Sequence, residues 1–416
     1  MADRPLLALV ESNTTGTGRQ FCEIAQARGL RPVVLVQEPG RYPYLTEDLA
    51  DVITCDTADQ AAVSAACRRL AASSGLAGVT SSSEYFTALA ARIAAEFGLP
   101  GASAEALSRC RHKDHQRRVL AAAGVPAPRS AVAQTAAQAR EGALRIGLPV
   151  VIKPTTGSGS AGVRLCRDLA EVEQWALHLL AMTANERGIA IPRAILVEEY
   201  VRGPEFSVEM FAGQVIGVVS KHLSGIPYFV ETGHDCPASL TAGEDAALRN
   251  AACRAVAALG VGWGATHTEL RMTDRGPLII EVNPRLAGGM IPSLIELTTG
   301  VNLIDRVIAH CTGQPYAPGR RRGEHASIRF LLAPGEGVLA SVTGLDQGSA
   351  LAGVRVVRLT HPVGSPVTIS HSFRDRLGYA IAVGPDAATA ADRAERALSH
   401  VTVTVRSRST AGCPTR

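Results

Sequence analysis

Lysine is nearly missing from this chain. Of its 42 basic residues only Lys113, Lys153 and Lys221 are lysines, which leaves 39 arginines. Aromatic residues are scarce at 4%, and no apolar run approaches the roughly 20 residues that span a bilayer. The apolar part of the opening MADRPLLALVES is too short for a secretory leader and reads as a first strand. Nine cysteines occur without one CxxC pair, which argues against a zinc site or a disulfide framework and points to a reducing cytoplasm. The net charge is only +4 and the basic residues are spread out. The one dense run, Arg320-Arg321-Arg322, reads as a solvated linker, so the clustered footprint of a nucleic-acid binder is lacking.

What is there is a chain of 416 residues, 46% hydrophobic and 19% charged, too long for one compact core and expected to form two or three domains. The three lysines then stand out. Lysine is a compact point charge on a flexible stem and arginine a planar fork, so lysines kept in an arginine-rich chain point to positions where the fork does not serve.

Residues 5–10, 32–36, 51–54 and 77–80 read as short buried strands, with helical stretches near 18–29, 58–73 and 83–97. Such alternation implies a parallel sheet with helices on its faces. ESNTTGTGRQF, after the first strand, fails as a dinucleotide fingerprint because its third glycine position is Phe21. Ligands of open α/β sheets nevertheless sit beyond the carboxyl ends of strands. SSSEY, which carries Glu84 and Tyr85, follows a strand in that way and is a candidate to touch substrate. CRHKDHQRRVLAAAGVPAPRS reads as a basic amphipathic helix closed by Gly-Val-Pro, ahead of a strand at 129–132, a helix at 134–146 and the strand LPVVIKP. A helix is expected over 241–259, and one or two over 291–312. Residues 323–404 read as β-rich and then helical, and the last dozen as a disordered tail.

Four stretches carry chemistry. In VVIKPTTGSGSAGVRLC, Gly157, Gly159 and Gly162 satisfy GxGxxG formally, but strands flank the loop on both sides, whereas a dinucleotide fingerprint opens a helix. A loop rich in Gly, Ser and Thr can fold its N–H groups over phosphates, and Lys153 adjoins it. AILVEEYVRGPEF ends one strand at Glu198-Glu199-Tyr200-Val201, turns at Arg202-Gly203-Pro204 and restarts at Glu205, a hinge that can pair with an adenine edge and hold ribose. VVSKHLSGIPYFVETGHDCP places Lys221 and His222 near the end of one strand, with Glu231 and His234 on the next, groups that suit the polar ends of an amino acid.

HTELRMTDRGPLIIEVN is the fourth. Taken as a hairpin with the three-residue loop Asp274-Arg275-Gly276, it pairs Thr273 with Pro277, and counting outward sets Glu269 opposite Glu281 with Asn283 on the same face. Like charges opposed in this way repel. A divalent cation between them reverses the sign, and Mg²⁺ is commonly held by one or two carboxylates together with substrate phosphates. Arg285 follows with a fork suited to a phosphoryl group or oxyanion, and Gly288 and Gly289 allow close backbone approach ahead of a helix.

Taken in order, RHKD…AAGVPAPR, VIKPTTGSGSAGV, VEEYVRGPEFSVE, HTEL and IIEVNPRLAGGMIP resemble an ATP-grasp domain over about 106–312. ETGHDCPA together with EVNPRLAGGMIP is most similar to the L-amino acid ligases that make dipeptides. The resemblance implies an α/β chain in three domains: a Rossmann-like parallel-sheet domain (1–105), an ATP-grasp α+β domain (106–318) with a mobile lid at about 125–198, and a small C-terminal α+β domain (319–404) before the tail at 405–416. It further implies that Lys113, Lys153 and the loop residues Gly157, Ser158, Gly159, Ser160 and Gly162 meet ATP phosphates, that Glu198, Glu199, Tyr200 and Val201 line adenine, and that Glu205 binds ribose. Glu269, Glu281 and Asn283 would hold Mg²⁺ or Mn²⁺, and Arg285 would stabilise the transferring phosphoryl group. Glu231, His234, Lys221, Gly288, Gly289, Glu84 and Tyr85 would surround the substrates, and Gly289 leaves space where some relatives place a bulky side chain.

The activity so implied is an ATP-dependent carboxylate–amine ligation through an acyl phosphate. Two alternatives stay open, a biotin- or purine-type carboxylase using bicarbonate and a non-catalytic nucleotide-binding module. The partners are small molecules, with neither nucleic acid nor membrane among them. The residues leave the oligomeric state open, and the family's habit of pairing through its first or last domain makes a homodimer the assembly to test.

Overall fold

The computed structural model describes residues 4–13, 17–46, 49–185, 187–320 and 323–407. Two compact units emerge. One comprises Met1–Ala127, Arg202–Val218 and Leu240–Arg322; the other comprises Pro128–Val201, Val219–Ser239 and Gly323–Arg416. The stretch expected as a lid falls almost wholly in Pro128–Val201.

The first unit opens on a four-stranded parallel sheet in the order Asp51–Thr54, Arg31–Val36, Leu6–Val10, Leu76–Thr80. Leu6–Val10 is buried along its whole length, as a parallel strand covered on both faces must be. The helices Thr17–Ala27, Gln60–Ser74 and Thr87–Glu96 alternate with these strands, close to the expected spans. Of ESNTTGTGRQF, residues 14–16 lie outside the described residues, as do Arg321 and Arg322 of the arginine run.

The same unit holds an antiparallel sheet in which Gly276–Asn283, Ala265–Thr273 and Glu205–Phe211 lie side by side. Its backing helix, Ala242–Leu259, begins at a capping box in which Thr241 and Glu244 satisfy each other's backbone N–H groups. The basic helix runs over Lys113–Ala122, and the 291–312 stretch splits into Ile291–Thr299 and Leu303–Cys311.

In the second unit, Ser130–Ala133, Ile195–Glu199, Val150–Pro154 and Arg164–Cys166 form an antiparallel sheet in that order. Val150, Ile152, Ile195 and Val197 pack there against Ala139, Ala143 and Leu179 from the helices Ala136–Ile146 and Leu169–Leu180. Further along, Glu231–Cys236, His325–Leu332, Arg376–Gly384 and Val354–Leu359 pair antiparallel in that order. The helix Ala387–Ser399 and a closing strand, Thr402–Arg406, complete the unit. That strand enters the stretch expected as a tail by two residues, and residues 408–416 lie outside the described ones. Among the described residues, no helix is long and apolar enough to cross a membrane.

Candidate active site

The acidic ribbon of the first unit pairs Glu269 with Glu281 and His267 with Asn283. The route to that pairing differs from the sequence reading. The loop is Asp274-Arg275 alone: Thr273 pairs with Gly276, which sits at φ 89°, and Thr273 Oγ1 donates to Gly276 O at 2.7 Å. A turn one residue shorter would carry Ile280 to the place opposite Glu269. Instead the register shifts between Glu269 and Leu270, so that Ile280 bulges and Glu281 returns to the face. The outer edge of Gly276–Asn283 is held from outside: Arg117 Nη2 donates to Ile280 O at 2.5 Å, Gln116 exchanges two bonds with the Val282 backbone, and Ile279 N donates to Pro126 O.

Glu205–Phe211 extends the polar face. Glu209 lies beside His267, Ser207 beside Glu269, and Glu205 beside Arg271. The His267 ring is buried, with Nδ1 2.7 Å from Glu209 Oε1 and Nε2 3.1 Å from Glu269 Oε1. Burial opposes charge on this ring, yet the Glu209 carboxylate and the hydrogen bonds to Glu209 and Glu269 outweigh it and raise the imidazole to about 9. Ser207 Oγ braces Glu209 at 2.7 Å. Glu205 accepts from Arg271 Nε at 3.0 Å. Among the described residues, no cluster of three or more His, Cys, Asp or Glu side chains forms a cation cage. The ribbon's donors are two opposed carboxylates and an amide. All are hard oxygens on one face, a set that fits a magnesium ion sharing its shell with phosphates.

Lys113 lies against this face with Nζ 2.7 Å from Glu281 Oε1. Arg285 is fixed through two of its nitrogens. Nε donates to Glu84 Oε2 at 2.6 Å and Nη1 to Leu286 O at 2.8 Å. Burial works against its charge and Glu84 restores it, raising the guanidinium above its ordinary value. Glu84, expected at substrate, thus meets Arg285, while Tyr85 lies under the Arg111 guanidinium at 4.8 Å. Before the helix Ile291–Thr299, Gly289 takes φ 58°, and a Cβ added at Gly288 would meet nothing within 4 Å.

In the second unit Lys153 Nζ lies 2.5 Å from Glu198 Oε2, both side chains almost sealed from solvent. Glu198 therefore spends its carboxylate on the lysine, and its backbone pairs with Ser130 and Val151. Glu199 accepts from Arg129 Nε at 3.2 Å, Tyr200 tilts toward Phe229, and Val201 is buried. The glycine loop, with Gly157, Gly159, Ser160 and Gly162 all at positive φ and Ser158 among them, is tethered to neighbouring segments. Ser160 Oγ donates to Phe229 O at 2.8 Å, Phe373 N to Gly159 O at 3.2 Å, and Trp175 Nε1 to Gly162 O at 3.0 Å.

The Lys221 strand pairs Lys221 with His234 and Leu223 with Glu231. Glu231 receives Lys221 Nζ at 2.9 Å on one oxygen and Arg376 Nη2 at 2.5 Å on the other. Burial pushes this carboxyl up, but Lys221 and Arg376 win and hold it well below the usual carboxylate range. His234 is fully buried, its ring edge-on to Phe330, with Nε2 3.7 Å from Glu231 Oε2. Arg376, whose guanidinium lies 3.9 Å from the centre of the Phe330 ring, is a site residue that sequence reasoning missed. It stands 145 residues from Glu231, and nothing in its own neighbourhood marks it. All three lysines of the chain are thus buried, each against a glutamate.

The chain is similar to known proteins. An ATP-grasp domain description matches residues 146–293, an ATP-grasp N-terminal domain matches 22–101, and an L-amino acid ligase C-terminal domain 2 matches 329–406. The uncharacterized protein y4rH of Sinorhizobium fredii is 37% identical over 398 residues, 96% of this chain and 82% of its own length. Carnosine synthase 1 of Mus musculus is 30% identical over 265 residues; the match takes in 59% of this chain and 32% of that protein, so the chain spans about a third of it. The crystal structure of an L-amino acid ligase from Bacillus licheniformis superimposes with a TM-score of 0.81 at 21% identity, covering 98% of this chain and all of that one.

Proposed function

This chain belongs to the ATP-grasp ligase family, and from that premise we propose that it joins the carboxylate of one amino acid to the amine of a second, with ATP converted to ADP and phosphate. The observation that carries the reading is the pairing of Glu269 with Glu281, with Asn283 opposite His267 on the same face. Two carboxylates and an amide on one face suit a hard cation, and members of this family work with Mg²⁺ or Mn²⁺. When bound there, the cation would neutralise charge on the phosphates. Glu269, Glu281 and Asn283 are the residues that would hold it.

The rest of the reading follows from what each side chain can do. Lys113 and Lys153 supply point charges for phosphates, the glycine loop supplies backbone N–H groups, and the Tyr200–Val201 backbone, past the strand Ile195–Glu199, supplies an edge for adenine. Phosphoryl transfer needs placement and charge stabilisation more than a protein nucleophile. Transfer to the carboxylate gives an acyl phosphate; the amine then attacks the acyl carbon and phosphate leaves. Arg285, held by Glu84, would stabilise negative charge on the transferring group and on the tetrahedral oxygen that follows. Glu231 with Lys221, Arg376 and His234 forms the polar recognition set for an amino-acid substrate.

Phosphate release is to be followed over a matrix of amino acids, singly and in pairs, with product masses determined. Release that depends on a pair and yields a mass equal to their condensation product supports the ligase. Release that needs bicarbonate and no amine would replace it with a carboxylase, and the absence of ATP turnover under all conditions would leave a binding module.

A further inference from the structure

A cavity of about 90 Å³ lies within the first unit, at the carboxyl ends of the adjacent parallel strands Leu6–Val10 and Leu76–Thr80. Leu6–Val10 has Arg31–Val36 on its other side, so the chain leaves the two strands at a point where the strand order reverses, the place where open α/β sheets hold small molecules. Arg285 contributes to the wall, so the cavity borders the residue assigned above to the reacting groups. Ser81 and Ser82 bring hydroxyls already engaged by neighbours: Ser81 Oγ with Ser83, Ser82 Oγ with the Asn13 backbone at 2.9 Å. Ala90 and Ala91 from the helix Thr87–Glu96 and the ring of Trp263 set its width.

We infer that this cavity is the side-chain pocket for one of the two amino-acid substrates, and that it admits a small neutral side chain, from methyl or hydroxymethyl up to isopropyl. The inference rests on the ligase reading and deepens it. Size disfavours rings: a cavity of roughly 150 Å³ is what encloses benzene. The space here, about 90 Å³, is well under that and suits a small side chain. A lysine-like group would find no acidic partner among the described lining residues, and Glu84 is already held by Arg285. Long aliphatic chains are stopped by the two alanine methyls and the indole.

Trp263 makes the pocket observable without turnover. The chain has two tryptophans, so Trp175→Phe leaves Trp263 as the sole reporter. Titration of that protein with alanine, serine or valine should give a saturable change in emission, and phenylalanine or lysine should bind at least ten-fold more weakly. Ala91→Leu should weaken the small amino acids ten-fold or more with the melting temperature and ATP binding unmoved. Trp263→Phe, scored by product mass, should extend acceptance to leucine and methionine, and it stands as the test should Ala91→Leu misfold. Equal binding of phenylalanine and alanine, or a substrate profile untouched by both substitutions, overturns the pocket. If pairs yield amides but the profile does not move, the pocket alone falls. If small amino acids bind at Trp263 but no pair is ever joined, the ligase reading falls and the pocket stands.

Discussion

Glu269 and Glu281 face each other across a ribbon whose loop alone would have set Ile280 in that place. One bulged residue compensates for one missing loop residue. Because side chains alternate with period two, a one-residue slip turns a whole strand over. Inserting one residue between Ile280 and Glu281 should therefore move Glu281 and Asn283 to the opposite face and abolish ATP turnover, with divalent-cation affinity lost in a calorimetric titration. Glu281→Ala should abolish turnover as well with little effect on folding. Retention of turnover in either protein would remove the ribbon from the chemistry.

His267 is predicted to orient Glu269. His267→Asn should weaken Mn²⁺ binding by about 10-fold or more, as losses behind a metal ligand commonly do, and leave the far-ultraviolet spectrum unchanged. An ordinary affinity in that variant would mean that Glu269 needs no support.

The same histidine gives a pH signature in metal-free protein. Its ring is raised from 6.5 to about 9 on folding. A raised group contributes stability that is fully present below the unfolded value and is lost as the pH climbs through the folded one. Thermal stability should thus decline between pH 6.5 and about 9, by at most on the order of 3 kcal/mol. His267→Asn should flatten that slope, which scanning calorimetry across the interval would detect.

Arg376→Ala removes one of two cations from Glu231 and leaves Lys221 to hold it. A cost of about 1–3 kcal/mol in unfolding free energy is expected for loss of a charged, largely buried hydrogen bond. If Glu231 serves an amino-acid substrate, KM for that substrate should rise with KM for ATP unchanged, and Arg376→Lys should restore part of the loss.

Gly203, in the Arg-Gly-Pro turn, sits at φ 133°, and a Cβ there would lie 1.9 Å from Met272 O. Neither the backbone conformation nor the space admits a side chain. Gly203→Ala should cost more than about 1 kcal/mol, measured by urea unfolding, whereas Gly213→Ala meets no atom within 4 Å and carries only the strain of its φ of 75°.

Much of this was legible in the sequence for identifiable reasons. The parallel strands announced themselves as continuous apolar runs, and the carboxylate pair followed from period-two counting on both sides of a glycine turn. The count succeeded because two local errors cancelled. A bulge at Ile280 is dictated by Gln116, Arg117 and Pro126, which lie over 150 residues earlier and leave no trace in the ribbon's own pattern. Glu84 shows the same limit. It was picked out by its place after a strand, but its partner is Arg285, 201 residues on, and only the folded chain says that the two meet. The glycine loop was read as a flap over phosphates, and its ties to Phe229, Phe373 and Trp175 come from segments that no local pattern connects with it.

The placement of the three lysines has a practical corollary. With Lys113, Lys153 and Lys221 each no more than 7% exposed, the folded protein offers acylating reagents almost no side-chain amine, and denaturation offers three. Mass spectrometry after a brief pulse of an activated ester would thus count molecules that have opened. The site of acylation would show which of the three glutamate-bound lysines lets go first.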